Sequence, residues 1–452
     1  MVRLKSGSQQ LTQGSVWKGI VRFAIPILLS NLFQQLYNTV DTAVVGKFAG
    51  SEALAAVGST GSLINLFVGF FLGISTGTGV IFATAYGAKD HERLKKVMHS
   101  ALILAFGAGL FLTVFGVAFT RWMLRLMGSP DDVIDLAAEY MRIFFGGSLF
   151  MLIYNVGAGI IQASGDSRRP LIYLVISGVL NVICDVICVA VFHMGAAGAA
   201  VATVFSQLIA CILIVLRLCR VPESWRLRFH ELRFDKAVAG SIVRLAVPSG
   251  LQSCMFSLSN ILIQAEINAF GSVAMAGVAA YGRIDGFGFM PIQALGLSIT
   301  TFTSQNMGAQ NYDRIREGVK TVFICAGICV LTVNTSIILF SDRLMLLFTS
   351  DAEVIRYGMM QMWRLAPFEP IFAISEILSG TVRGAGKVTQ PMLIYLVTIC
   401  AFRIVGLLIL MPLVQDIRLV FWAYPTSWAL CSAVMIVYYI KGSWKPKAES
   451  LI

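Results

Sequence analysis

The chain carries one pattern twice, and that repeat constrains the fold more than any single motif. The stretch Ile20-Val21-Arg22-Phe23-Ala24-Ile25-Pro26 returns as Ile242-Val243-Arg244-Leu245-Ala246-Val247-Pro248, an offset of 222. Tyr86-Gly87-Ala88-Lys89 with Arg93 returns as Met307-Gly308-Ala309-Gln310 with Arg314, at 221. Val133-Ile134 returns as Val354-Ile355, and Gly165…Pro170 as Gly386…Pro391, again at 221. Both copies are largely apolar. The 452 residues are 57% hydrophobic and 13% charged, against ~25% charged in soluble domains.

Apolar runs of about 20 residues or more, long enough to span a bilayer, fall at roughly 18–43, 54–84, 97–119, 136–161, 170–192 and 196–216. A second set falls at roughly 242–268, 274–305, 318–340, 354–380, 390–413 and 419–440. If the chain starts in the cytoplasm, 25 of the 35 Lys and Arg lie inside, 6 outside and 4 within spans. That bias is the positive-inside rule. It predicts both termini in the cytoplasm and reads the +11 net charge as topology, with no nucleic-acid partner. The first apolar run lacks a small-residue cleavage site and reads as a retained span. Six spans per copy return the chain to its starting side, so the repeats are parallel and related by an axis along the membrane normal. The expected fold is therefore an all-α polytopic membrane protein with twelve transmembrane helices in two six-helix lobes. The expected bounds are 1–216 and 242–452, joined by a basic cytoplasmic linker, 217–241, that contains Pro222 and Trp225.

Internal repeats of this kind point to transporters that move one half against the other. The connections are too short for an extramembrane catalytic domain, and no GxxxxGK[ST] occurs, so an ion gradient is the expected energy source. Nine cysteines form no CxxC pair, and the four histidines lie in or near loops without a nucleophile–base set. An enzyme and a cofactor are therefore not expected. Gly69, Gly73 and Gly77 recur every fourth residue, the spacing of closely packed helices. Pro26, Pro248 and Pro291 each permit a kink or hinge.

Charges inside a span are costly, so each is a candidate functional group. On span 1, Gln34, Tyr37, Asn38 and Asp41 share one helical face, as do Asn181 and Asp185 on span 5. At ~1.5 Å per residue, Asp41 lies ~34 Å past Lys18 and Asp185 ~22 Å past Pro170. Thr203 lies about seven residues below the outer turn of span 6. If spans 1, 5 and 6 are neighbours, two carboxylates, an amide and a hydroxyl converge. A carboxylate pair at low dielectric holds a proton or a cation such as Na⁺. The second copy places Ile263 opposite Asp41, Arg403 opposite Asn181 and Leu407 opposite Asp185, so the acid pair is expected in the first lobe only. Glu266, late in span 7, is a second-lobe candidate set against an interfacial role. Arg283 and Asp285 are i,i+2 and do not face each other. Arg364, Glu369, Glu376 and Arg403 are expected to form ion pairs closing the second lobe. Gln34, Tyr37, Asn38 and Asn155 are the candidate substrate-binding residues.

Several features together resemble the multidrug and toxic compound extrusion (MATE) family, from about Trp17 to Tyr439. They are the twelve spans, the Pro26…Asp41 spacing and the paired motifs Tyr86-Gly87-Ala88-Lys89 and Gln305-Asn306-Met307-Gly308-Ala309. The turns Gly165-Asp166…Pro170 and Gly384-Ala385-Gly386…Pro391 complete the set. Asp41, Asn181, Asp185 and Thr203 look like the cation site of its prokaryotic DinF-like branch, where protonation of the span-1 Asp is linked to a bend at the span-1 Pro, here Pro26. Glu266 does not clearly match the span-7 acid of the NorM-like branch. The resemblance implies an H⁺- or Na⁺-driven antiporter in a prokaryotic cytoplasmic membrane, exporting amphipathic, often cationic compounds. Its expected partners are the lipid bilayer and a small organic substrate, and it is expected to act as a monomer. The rival readings are a flippase of the same superfamily, a major-facilitator carrier and a polytopic enzyme. The acid pair, the Gly-Ala endings and the missing nucleophile set argue against these in turn.

Overall fold

A computed structural model describes residues 11–126, 131–221, 225–442 and 444. The extreme ends of both expected lobes, and Pro222 of the expected linker, lie outside the described residues. The first copy folds as α1 (Val16–Phe48), α2 (Gly50–Gly87), α3 (His91–Leu126), the bent pair α4 (Asp131–Gly146) and α5 (Ser148–Ala163), α6 (Arg168–Asp185) and α7 (Gly195–Cys219). The second folds as α8 (Lys236–Asn268), α9 (Ser272–Gly308), α10 (Tyr312–Leu339), a short α11 (Ser341–Leu346), α12 (Ala352–Leu365) with α13 (Glu369–Gly384), α14 (Thr389–Tyr395) with α15 (Phe402–Val414), and α16 (Ile417–Ile440). Among the described residues, nine helices are long and apolar enough to cross a membrane, ten when α4 and α5, bent by 46°, count as one span. Adding α8 and α9, whose polar residues dilute their hydropathy, gives the twelve rods expected.

The repeat is written into the backbone as well as the sequence. Gly50 and Gly271 (φ 87° and 91°), Lys89 and Gln310 (56° and 58°), Gly165 and Gly386 (91° and 80°), and His193 and Gln415 (52° and 46°) all adopt left-handed conformations. Each pair sits at the 221–222 offset. A left-handed residue ends a helix by turning the chain back, so the same four corners are cut in each copy. Glycine carries two of those corners because it lacks the Cβ that makes this region costly.

Packing divides the described chain into two compact units, Ile25–Gly250 and Leu11–Ala24 with Leu251–Ile452. The division falls inside α1 and α8, one residue before Pro26 and two after Pro248. In the first unit, Trp225 and Leu227 are buried in a core with Phe82, Leu218 and Ile242. The Trp225 ring meets Phe82 edge-on at 5.1 Å. In the second unit, the backbone of Leu11 donates to Gln305 Oε1 at 3.0 Å and accepts from Arg314 Nε at 3.1 Å and Asn306 Nδ2 at 3.4 Å. The Gln305-Asn306 motif thus holds the segment that leads into α1.

The glycine stripe of α2 has the close-packing role its spacing suggested. A Cβ on Gly77 would lie 2.8 Å from the Ile242 carbonyl and 3.0 Å from the Ala246 amide of α8, whereas Gly79 faces open space. Gly77→Leu should therefore destabilise the protein by about 1–3 kcal/mol through overpacking. Gly79→Ala should be neutral or stabilise by up to ~1 kcal/mol. Thermal melts of the two variants in one detergent check this, and equal melting temperatures would remove the claim.

Candidate functional site

In the first unit, α1 meets α6 where Tyr37 lies against Gly178. A Cβ there would sit 3.4 Å from the Tyr37 ring. One turn further along α1, the carboxyl groups of Asp41 and Asp185 hydrogen-bond to each other. Spans 1 and 5 are therefore neighbours, as the helical spacing required. Asp185 and Asn181 are buried, and Asp41 is half-buried. Among the described residues, no donor reaches Asp41 Oδ1, either oxygen of Asp185 or Asn181 Oδ1, and no acceptor meets Asn181 Nδ2. Two carboxylates cannot bond to each other without a proton between them, and no Lys or Arg among the described residues pairs with either. The site is built to hold one proton or a small cation, with the idle Asn181 amide one turn below as a further ligand. A π-helical turn, Val186–Val191, begins directly after Asp185, the kind of local widening common at functional sites.

The other expected site residues are placed less uniformly. Thr203 is half-buried on α7, and its hydroxyl bonds to neither acid among the described residues; its backbone carbonyl accepts from Ser206 at 2.8 Å. Tyr37 takes a side-chain hydrogen bond from Gln34, while Gln34 and Asn38 are exposed. Asn155 donates to its own helix at Met151 (2.8 Å), and its carbonyl accepts from Ser75 (2.8 Å). Tyr140 on α4, buried and within electrostatic reach of both acids, had not been singled out from the sequence. A phenol on the apolar face of an amphipathic helix was the available signal.

In the second unit Ile263 and Leu407, the counterparts of Asp41 and Asp185, share a hydrophobic cluster with Ile267, Met411 and Val420. The repeat alignment is therefore spatially right. The expectation that this lobe lacks paired acids is not. Asp285 on α9 and Glu369 on α13 hydrogen-bond to each other. Tyr281 donates to Asp285 Oδ1 at 2.5 Å, and Asn334 Nδ2 donates to Glu369 Oε2 at 3.0 Å. Gly288 makes the room, since a Cβ there would meet the Glu369 carboxylate and lie 3.0 Å from Asn334 Oδ1.

The expected ion pairs are corrected with it. Arg403 bonds Ser427 through Nε (3.1 Å) and Nη2 (2.8 Å) and lies over the Tyr424 ring at 4.3 Å. Arg364 donates to the Met360 carbonyl at 2.7 Å. Of the four residues, only Glu376 forms an ion pair among the described residues, with Arg383. Glu266, half-buried near the end of α8, belongs to neither acid pair. The second pair predicts a contrast. Glu369→Gln keeps a donor for Asp285 and should melt within a few degrees of wild type. Glu369→Ala removes the carboxyl partner of Asp285 and leaves the Asn334 amide only its Ala366 carbonyl acceptor (2.8 Å), and should cost about 1–3 kcal/mol. Melting of both variants in detergent is the check, and a harmless alanine would show that the pair carries no stability.

Comparison with known proteins gives concordant matches. The sequence model of the MatE family matches residues 26–187 and again 248–409, so each match begins at one of the paired prolines. The probable multidrug resistance protein YoeA of Bacillus subtilis (strain 168) is 31% identical over 97% of this chain and 96% of its own length. A MOP superfamily transporter from Pyrococcus furiosus has the same fold, with a TM-score of 0.92 at 23% identity over 99% of this chain and 100% of that one. A MATE structure in a bent conformation matches with a TM-score of 0.90 at 23% identity over 97% of each chain.

Proposed function

Because this chain belongs to the MatE family, we propose that it is a multidrug efflux antiporter, coupling export of amphipathic, often cationic compounds to entry of H⁺ or Na⁺. One observation carries this reading. Among the described residues, no donor serves Asp41 Oδ1 or either oxygen of Asp185, so the pair's charge is balanced by whatever mobile ion it holds. A proton or Na⁺ arriving at the pair neutralises it, and a lipophilic cation is then released. Loss of that ion restores the charge that attracts the next cation. Asn181 and Tyr140 border the same pair, while Gln34, Tyr37, Asn38 and Asn155 offer polar contacts to substrate along α1 and α5. Thr203, half-buried on α7, is proposed as a further member of the coupling site.

Pro26 is the proposed hinge. Proline has no amide to donate, so the Arg22 carbonyl loses its helical partner there. Ser30 Oγ donates to the Pro26 carbonyl at 2.8 Å, an alternative bond that steadies a bend. Both termini and the linker are assigned to the cytoplasm of a prokaryotic cell, on the charge bias. The carrier works as a monomer without an organic cofactor.

Asp41→Asn and Asp185→Asn should each abolish substrate-stimulated proton release from reconstituted protein while leaving expression intact, since an amide is nearly isosteric and only the titrating charge is lost. Running the assay with and without sodium separates the two ions. Wild-type transport in either variant across a range of pH would end the shared-acid mechanism.

For orientation, Trp225 is buried at 1% exposure and unsuitable for labelling. His230, with its side chain 78% exposed, is the better position. A cysteine there should resist an impermeant reagent added to intact cells and react in inverted vesicles. Labelling from outside would reverse the topology.

A further inference from the structure

The linker between the two copies folds back onto the first unit and encloses a second site, far in sequence from the acids. A cavity of about 610 Å³ lies between the start of α3 and the linker, lined by Lys95, Lys96, His99, Arg233 and Phe234 together with Glu92, His230, Glu231 and Asp235. Its carboxylates are already engaged. Glu231 bonds Lys95 and, at 2.8 Å, Arg228. Those two cations hold its carboxyl down at about 2, so it stays ionised and occupied. Asp235 caps α8, accepting from the Ala237 and Val238 amides at 3.0 Å each. Its backbone amide donates to Ser100 Oγ at 3.1 Å, which ties the linker down. Glu92 holds Lys96 at 2.6 Å in an exposed i,i+4 pair, of a kind that exchanges readily.

The groups left without partners are cationic or potential donors. His99 is 2% exposed, yet its Nε2 has no hydrogen-bond partner. A buried polar nitrogen without a bond costs free energy, and here it borders a cavity large enough for a ligand. Arg233 is exposed and forms no ion pair among the described residues. Beside them the linker exposes Phe234 and Phe229, at 47% and 63%, among Arg226, Arg228, Arg233 and Lys236. Aromatic rings interleaved with basic residues, next to the end of a membrane span, suit the interface between headgroups and water.

We propose that this cavity binds a phosphate group, with His99, Lys96 and Arg233 as its donors and the exposed phenylalanines covering any attached apolar chain. A metal cation is disfavoured by the surrounding Lys95, Lys96 and Arg233. A phosphate presents several acceptor oxygens, enough to occupy His99 and Arg233 at once and to draw Lys96 from its exposed pair with Glu92. The phosphate can belong to an anionic lipid of the adjacent leaflet or to a soluble ion, and the occupant would pin the linker against the first unit.

The test uses full-length protein in phosphatidylcholine nanodiscs, with and without phosphatidylglycerol, and separately with millimolar inorganic phosphate. Hydrogen exchange is followed over residues 228–238. Exchange there should slow several-fold in the presence of the phosphate source. Protection by phosphatidylglycerol alone identifies a lipid site, and protection by inorganic phosphate without it identifies a soluble one. Arg233→Ala and His99→Ala should each lose most of the protection, and His99→Gln, which keeps a donor, should recover part of it. Unchanged exchange in the peptide containing Trp225 certifies that the variants are folded. Absence of protection from either source, or equal protection in wild type and both alanine variants, overturns the proposal.

Discussion

A carboxyl group kept from water must be answered by a donor, a cation or a proton, and the polar interior of this protein follows from how each acid is answered. Glu376 is answered by Arg383 and by Tyr395, whose hydroxyl donates at 3.0 Å. Glu231 is answered by Lys95 and Arg228. These partners are covalent parts of the chain, so they are permanent, and the acids they serve can do little but hold structure together. Among the described residues, Asp41 and Asp185 are answered by each other and by no cation. That arrangement is incomplete without a mobile ion, and incompleteness of this kind gives an antiporter its handle on a gradient.

The two acid pairs are therefore not copies of one another. Asp285 and Glu369 receive Tyr281 and Asn334 as protein donors, while no donor among the described residues serves Asp185. A pair supplied with fixed donors keeps its arrangement whether or not ions come and go. A pair without them changes its net charge with every exchange. The difference is the physical support for the proposal that ion turnover belongs to the first unit, even though both units contain two neighbouring carboxyls.

Much of this was legible in the sequence because the signals are local or repeated. Helical spacing placed Tyr37 and Asp41 on one face and Asn181 and Asp185 on another, and the rise per residue set both acids in the outer half of the membrane. The repeat offset located Ile263 and Leu407 opposite them, and those two do pack together. What failed was judgement of acids by their neighbours on one helix. Asp285 was set aside because Arg283, two residues away, cannot face it. Its partner comes from α13, 84 positions on, and no periodicity within a single span reports that. Gly288, three residues after Asp285, was the one local trace, since a glycine inside a helix marks the approach of something else. The engagement of Arg403 with Ser427 and Tyr424 was equally invisible, because a hydroxyl and a ring answer a guanidinium as well as an acid does.

Repetition has been kept in the backbone and abandoned in the side chains. The left-handed corners at 50, 89, 165 and 193 recur at 271, 310, 386 and 415, yet the first acid pair faces Ile263 and Leu407 in the second copy. In the reverse direction, the 221–222 offset carries Asp285 back to Ile64 or Leu63, both packed against the first unit's apolar core. The prolines belong with the backbone. Packing assigns the residues before Pro26 and those just after Pro248 to different units from the rest of α1 and α8. A helix is weakest where an amide is missing, so a change of packing partner costs least at that point. The duplicated scaffold thus places a compliant point in one helix of each copy. The choice of which copy holds the ion is left to a handful of side chains that the scaffold does not specify.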